Sequence, residues 1–305
     1  MKKQISIILS SLSFLFCQEI IGEGLYGNDL ISFLRQNYKT SFTLGYTDAR
    51  DTLYLQIDRH EGEVKGVYSN FGVNLPNGVD PSTYLYENGI NCEHVWPQSL
   101  YEGTEPQKSD MHAIRPCKDN VNSARGNKPF NDIVDSETIT WYWEDNQTSN
   151  IPSSNIDEYS ENHDSFFEPR EDRKGDIART IFYFYVMYSE VADENFFNVQ
   201  KEILRDWHGQ DPANDDEMER TWKIAAYQQN KPNPFILDES LIDRSFFSDD
   251  FVLGDLNGDG NLNVLDIVEL VNQILNSEIS MIGDMNGDGE NNILDVVILA
   301  GIILS

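Results

Sequence analysis

The sequence predicts an α+β protein carrying a small all-α module at its C-terminal end. Three features carry this. Short runs of strand formers stand early in the chain, three amphipathic helical patterns follow, and a polar glycine-bearing loop occurs twice near the end. The 305 residues suffice for one large domain and one small one. The expected divisions are 1–22 as an export signal, 23–248 as the main domain and 251–305 as the module.

Met1-Lys2-Lys3 precedes an apolar run over 5–16. A charged start and a short apolar run make a secretory signal, too short to span a bilayer comfortably. A secreted protein, extracellular or periplasmic, is therefore expected. Gly22 or Gly24 could precede the cut. Bulky Phe16 disfavours a lipoprotein cut before Cys17, which leaves lipid anchoring there as a weaker alternative. No other stretch reads as a membrane span. Once Cys17 has left with the signal, Cys92 and Cys117 remain as a pair, and an oxidising compartment predicts a disulfide between them.

A short helix is predicted over 30–38. Residues 52–58 (TLYLQID) alternate and predict a strand, 60–63 a turn, and 64–73 a second strand. Residues 74–88 carry Pro and Gly and read as a loop. Residues 141–173 are polar, acidic and broken by Pro, as in long surface loops. Three helical faces follow. They are Ile177, Ile181, Phe184, Tyr185 and Tyr188; then Phe196, Val199, Ile203, Leu204 and Trp207; then Met218, Trp222, Ala225 and Ala226. Asn233-Pro234-Phe235 ends the series, and Ser248-Asp249-Asp250 marks a boundary.

The last part repeats. GDLNGDGNLNVLD at 254–266 recurs as GDMNGDGENNILD at 283–295, each followed by an apolar run, 267–275 and 296–304. Calcium takes six to eight oxygens, and a twelve-residue loop supplies most of them. Asp255, Asn257, Asp259, Asn261, Asn263 and Asp266 fall at the ligand positions of the first loop. Asp284, Asn286, Asp288, Glu290, Asn292 and Asp295 fall at those of the second. Gly260 and Gly289 stand where each loop turns sharply. Two structural Ca²⁺ sites are expected. Between 251 and 305 there are acids and no bases, so the helices should pack only once calcium neutralises the loops. Twin loop–helix units ending in Asp resemble the type I dockerin, which implies a cohesin-like or cell-surface partner. Val264-Leu265 and Ile293-Leu294 replace the hydroxyl residues that often serve recognition there.

The formal net charge is -30, which argues against unaided attraction to membranes or nucleic acid. The charge is uneven. Within 108–128, Lys108, Arg115, Lys118, Arg125 and Lys128 face only Asp110 and Asp119. Such a basic island is what a phosphodiester substrate requires.

EHVWPQS at 93–99, KSDMH at 108–112, RGNKPF at 125–130, KGDIARTIFYF at 174–184 and QQNKPNPF at 228–235 occur in one order and spacing. These motifs, spanning about 49–235, resemble the endonuclease I family of periplasmic and extracellular nucleases. The resemblance implies a ββα-metal (His-Me) finger packed among helices. It implies His94 as the general base that activates water, Glu93 and Asn122 as Mg²⁺ ligands, and Arg125 as a phosphate holder. DNA and RNA are the implied substrates. Neutral imidazole can take a proton from water, and a divalent ion with open positions can neutralise a phosphate. Neighbours on a flat strand point to opposite faces, so Glu93 and His94 share one site only where the strand ends or bends. A non-catalytic nucleic-acid-binding protein and a surface-complex component acting through the module are the alternatives; intact Glu93, His94 and Asn122 favour the enzyme. His208 beside Gly209 reads as a helix-end residue, His112 as a supporting residue of the site, and Arg50 and Arg179 equally as structural ion pairs.

Overall fold

The computed structural model describes residues 20–247, 252–257, 261–276, 280 and 282–305. The signal expected over 1–22 lies outside the described residues as far as Glu19, as do Cys17, the 248–250 boundary, and Asp259 and Gly260 of the first calcium loop. From Ile20 the chain already belongs to the packed domain. Arg244, almost fully buried, donates to the carbonyls of Ile21, Gly22 and Leu25. The Ile21 N–H donates to Asp238 at 2.9 Å.

Helix α1 (Gly27–Tyr38) forms where expected and buries Leu30 and Leu34. Residues 52–58 are not a strand. Helix α2 (Tyr46–Thr52) runs into a π-helical turn at Leu53–Ile57. Leu53, Tyr54 and Ile57 are buried while Leu55 is 38% exposed, so the burial spacing is helical and the alternation of leucines misleads. A hairpin follows. Strand β1 (Arg59–His60) pairs with β2 (Glu63–Lys65) through Glu61 and Gly62, both at positive φ, and β2 pairs with β3 (Gly72–Asn74). The long strand expected over 64–73 is thus two short ones. Part of the expected loop 74–88 is helix α3 (Pro81–Glu87). Asp80 caps it, accepting from Thr83 N–H at 2.8 Å, with Pro81 at its first position.

Strand β4 (Ile90–His94) pairs antiparallel with β5 (Ile114–Lys118), and α4 (Asp119–Arg125) follows directly. Residues 141–173 also hold more order than their polarity suggests. Strands β6 (Thr140–Trp143), β7 (Asn146–Thr148), β8 (Ser160–Asn162) and β9 (Phe167–Glu168) form a sheet in the order β7-β6-β8-β9, with Trp141 and Phe167 fully buried.

Helix α5 (Lys174–Met187) is buried nearly all round and forms the centre of the main core. The second expected helix is broken into α6 (Glu194–Asn198) and α7 (Lys201–Gln210). The Gln200 side chain between them donates to Phe196 O and accepts from Phe130 N. Helix α8 (Asp215–Ala225) buries Glu217, Thr221, Ile224 and Ala225, leaving Trp222 exposed. Its inner face is therefore displaced from the predicted one, because Glu217 turns inward to meet Arg179. Helices α9 (Pro234–Leu237) and α10 (Leu241–Phe246) close the core. Beyond them, α11 (Val264–Asn276) and α12 (Ile293–Ile303) pack on each other through buried Leu270 and Leu299. Among the described residues no helix is long and apolar enough to cross a membrane.

One buried carboxylate ties these pieces together. Asp110 lies in the loop between β4 and β5 and has no exposed surface. Its Oδ2 accepts from the hydroxyls of Tyr183 (2.8 Å) and Tyr188 (2.6 Å). Its Oδ1 accepts from Gln228 Nε2 (2.8 Å) and His112 N–H (3.0 Å). Removing it strands four donors in a dry core, each costing on the order of 1–3 kcal/mol. Asp110→Ala should therefore lower urea-unfolding stability by roughly 4 kcal/mol; a loss below about 1 kcal/mol, the size of an ordinary surface change, would show that the network contributes little.

Candidate active site

Strand alternation decides which motif residues meet. Asn91 and Glu93 turn toward α4. Glu93 accepts from Tyr68 OH at 2.8 Å and pairs with Arg125 Nη1 at 3.4 Å, all three side chains being almost completely buried. Burial raises the Glu93 pKa, and Arg125 and the Tyr68 hydroxyl oppose that rise. On the same face, Asn122 Nδ2 donates to Asn91 Oδ1 (2.7 Å) and Cys92 O (3.2 Å). That leaves the Asn122 side-chain oxygen Oδ1 without a protein donor among the described residues.

Cys92 and His94 turn the other way, toward α2. The His94 ring lies 5.3 Å from the Tyr46 ring. Its Nε2 is 2.9 Å from Lys108 O, and its Nδ1 is 2.9 Å from Gln98 Nε2. A carbonyl can only accept, so Nε2 carries the proton. An amide nitrogen can only donate, so Nδ1 presents a lone pair. Burial pushes the His94 pKa down to about 4; the bond to the Lys108 carbonyl opposes this, and the charges of Lys108, Arg50 and Arg125 add to it. The ring is thus a neutral base at pH 7, with its tautomer fixed by backbone.

Glu93 and Asn122 thus have their partners on the α4 side, whereas His94 has its partners in Tyr46, Gln98 and Lys108 O. Arg125 lies buried beside Glu93, with its Nε unpartnered among the described residues. It is 1% exposed, and its Nη atoms meet Glu93, Gly126 O, His94 O and Val95 O. The Cys92–Cys117 disulfide is not formed; both thiols are free. In the ladder Cys92 faces Pro116 and Cys117 faces Asn91. One step out of register puts the two thiols on opposite faces, Cys117 in the main core and Cys92 against the smaller one.

Glu93 and Asn122 offer hard oxygens on one face, the donor chemistry Mg²⁺ takes, and Mg²⁺ commonly retains several waters. Among the described residues no three or more His, Cys, Asp or Glu side chains cluster to hold a metal. In the second calcium loop Asp284 accepts from the N–H groups of Gly287, Asp288 and Gly289, and Asp295 from those of Met285, Asn286 and Asn292. Asp266 does the same for Asn257 and Asn263 in the first. In the second loop and in the described part of the first, carboxylates thus accept from loop N–H groups, and the acidic and amide side chains offer the oxygens that calcium takes.

Three site features were missed from sequence. Gln98, four residues after His94, could have been suspected from its place in EHVWPQS. Tyr46 and the Lys108 carbonyl gave no local signal. His112 has its ring Nε2 2.9 Å from Lys231 O and its ring 5.1 Å from that of Tyr183. His208 lies inside α7 and bridges Arg179 and Glu239 O. Arg179 is a structural ion pair, held by Glu217. A polar cavity of about 590 Å³, lined by Arg115, Asp176, Glu217 and Arg220 among others, contains none of His94, Glu93 or Asn122.

Comparison with known proteins adds to this geometry. The model of the endonuclease I family matches residues 27–239. The model of the dockerin type I domain matches residues 253–304. Over 161 residues the chain is 31% identical to an extracellular ribonuclease of Bacillus subtilis (strain 168) and 32% identical to an extracellular ribonuclease of Bacillus amyloliquefaciens. Each alignment takes in 48% of this chain and 50% of the relative, so the chain spans about half the length of the curated relatives it matches.

Acid should unfold the domain through its buried histidines. His112 is held at about 4, chiefly by burial, against an ordinary 6.5. The unfolded chain then binds more protons between those values, so stability is full above pH 6.5 and falls as pH drops toward 4. Denaturant titrations at pH 7 and pH 4.5 should differ by up to about 3 kcal/mol from this residue. His112→Asn should narrow that difference; an identical pH dependence would remove His112 as its source.

Proposed function

This chain belongs to the endonuclease I family, and from that membership we propose that it is a secreted, metal-dependent, non-specific endonuclease. It would hydrolyse the phosphodiester bonds of DNA and of RNA, the latter in keeping with the names of its relatives. The observation that carries this reading is the state of His94. The ring is neutral, donates through Nε2 to Lys108 O, and presents Nδ1 as a proton acceptor. That is what a general base for water requires. Gln98 holds Nδ1 in line and must yield it when water is bound. The ββα finger of this reading is β4, β5 and α4. Glu93 and Asn122 would hold Mg²⁺, which supplies charge neutralisation at the phosphate. Joint action with His94 requires Glu93 or His94 to turn from its present face.

The dockerin-like module is read as a calcium-stabilised attachment unit covering 251–305. Val264, Leu265, Ile293 and Leu294 stand exposed on it, which favours a cohesin-like or cell-surface partner. This is attachment of a nuclease rather than a separate function.

Supercoiled plasmid and a single-stranded RNA, each incubated with Mg²⁺, should be cut, and a chelator should stop the reaction. His94→Ala should lower the rate roughly a thousandfold, and Glu93→Gln should lower it and raise the Mg²⁺ requirement. A wild-type chain that binds plasmid without nicking it would favour the binding-protein alternative.

Calcium is tested separately by heating the full chain. With Ca²⁺ the module should melt cooperatively. After chelation its transition should vanish while that of the nuclease domain stays within a few degrees. A module transition unchanged by complete calcium removal would mean that the loops are ordinary turns.

A further inference from the structure

The basic island read from sequence is mostly neutralised in the fold. Lys118 pairs with Asp145, Arg115 with Asp176 and Arg125 with Glu93, and Lys128 is held by Asn162 and Ala124 O. Of the five basic residues between 108 and 128, Lys108 and Lys128 make no ion pair with an acid among the described residues, and Lys128 is already taken up by Asn162 and Ala124 O, which leaves Lys108. A second such cation comes from elsewhere in the chain. Arg50, on α2, makes no ion pair; it acts on Asp80 through space without reaching it. Its Nε is buried and has no hydrogen-bond partner.

These two cations meet at one ring. The Arg50 guanidinium lies 4.4 Å from the Tyr46 ring centre and the Lys108 ammonium 5.0 Å from the same centre. The ring also touches His94, at 5.3 Å. Arg50, Tyr46 and Lys108 are each partly exposed. Two like charges on one aromatic ring repel, and the ring's quadrupole offsets only part of that. An anion between them removes the repulsion, and the base stands beside the place where that anion would lie.

We propose that Arg50 and Lys108, steadied on Tyr46, are the substrate-binding pair that takes a nucleic-acid phosphate beside His94. This rests on the reading of the chain as a nuclease. Arg50 supplies planar donors to phosphate oxygens and Lys108 a point charge. In a chain of net charge -30, two unneutralised cations at the base give a polyanion its foothold. The Lys108 backbone carbonyl fixes the His94 tautomer while its side chain binds, so one residue sets both the base and the phosphate.

The test uses the full chain carrying His94→Ala, which binds without cutting, and a fluorescein-labelled single-stranded oligonucleotide read by anisotropy at several salt concentrations. Arg50→Gln and Lys108→Met should each raise Kd about tenfold. Each should also flatten the slope of log Kd against log salt by about 0.7. Arg50→Lys should restore most of the affinity and the slope; a loss equal to that of Arg50→Gln would mean that Arg50 acts by packing and would overturn its part. Inorganic phosphate should compete with the oligonucleotide on the His94→Ala chain and fail to do so on the doubly substituted one. Thermal melting checks the fold, and if Arg50→Gln melts early the half-exposed Lys108→Met is read alone. Unchanged Kd and slope in folded variants would overturn the proposal. If the wild-type chain leaves plasmid intact while binding still depends on Arg50 and Lys108, the nuclease reading fails and the phosphate-binding pair stands.

Discussion

The Asp110 carboxylate is the constraint on which the rest of the domain depends. It is buried without a cation of its own, and four hydrogen-bond donors satisfy it. A buried charge is tolerable only when its lone pairs are filled. The donors come from α5, from the residues after α8 and from the 108–112 loop itself. One side chain therefore fixes the loop against two distant helical segments. The consequence reaches the chemistry two residues away, because Lys108 O then lies where it can accept the His94 ring proton. Gln228 secures the same point twice, donating to Asp110 and accepting from Met111 N–H at 2.8 Å.

The residues of EHVWPQS divide by the same logic. Val95 and Trp96 enter the main core, where Trp96 stacks on Phe184 at 4.9 Å and meets Phe196 edge-on at 4.9 Å. That packing anchors the chain just after His94, and Gln98 then returns to the His94 ring. Glu93 is held on the other side by Tyr68 and Arg125. A dense motif is thus partly a packing instruction. Its Trp96, like Asp110 of the KSDMH motif, is buried and holds the backbone in place.

Electrostatics separates structural from available charge. A sequence count sees five cations near one another, but three of them are paired with acids and Lys128 is held by Asn162 and Ala124 O. Buried pairs such as Arg179 with Glu217, 2.6 Å apart, are fixed parts of the core and contribute no field that a substrate could use. Arg50 belongs to a different part of the sequence and enters the site only because α2 packs beside β4.

The sequence by itself determined the elements whose signals are local. The central helix α5, the repeated loop–helix units near the C-terminal end and the hairpin turn at Glu61-Gly62 were legible, because helical periodicity, sequence repetition and turn chemistry act within a few residues. Asp80-Pro81 was an equally local helix start that went unused, and polarity hid the β6–β9 sheet because small edge-rich sheets need few apolar residues. Only the tertiary structure decided the rest. Whether 52–58 became helix or strand depended on which side chains the core accepted. Whether Cys92 met Cys117 depended on a single step of register. Which motif residues shared a face, and which cations kept their charge, followed from the pairing of β4 with β5 and from acids far away in the chain. Those outcomes are set by non-local packing and by competition for partners, and no window of sequence contains them.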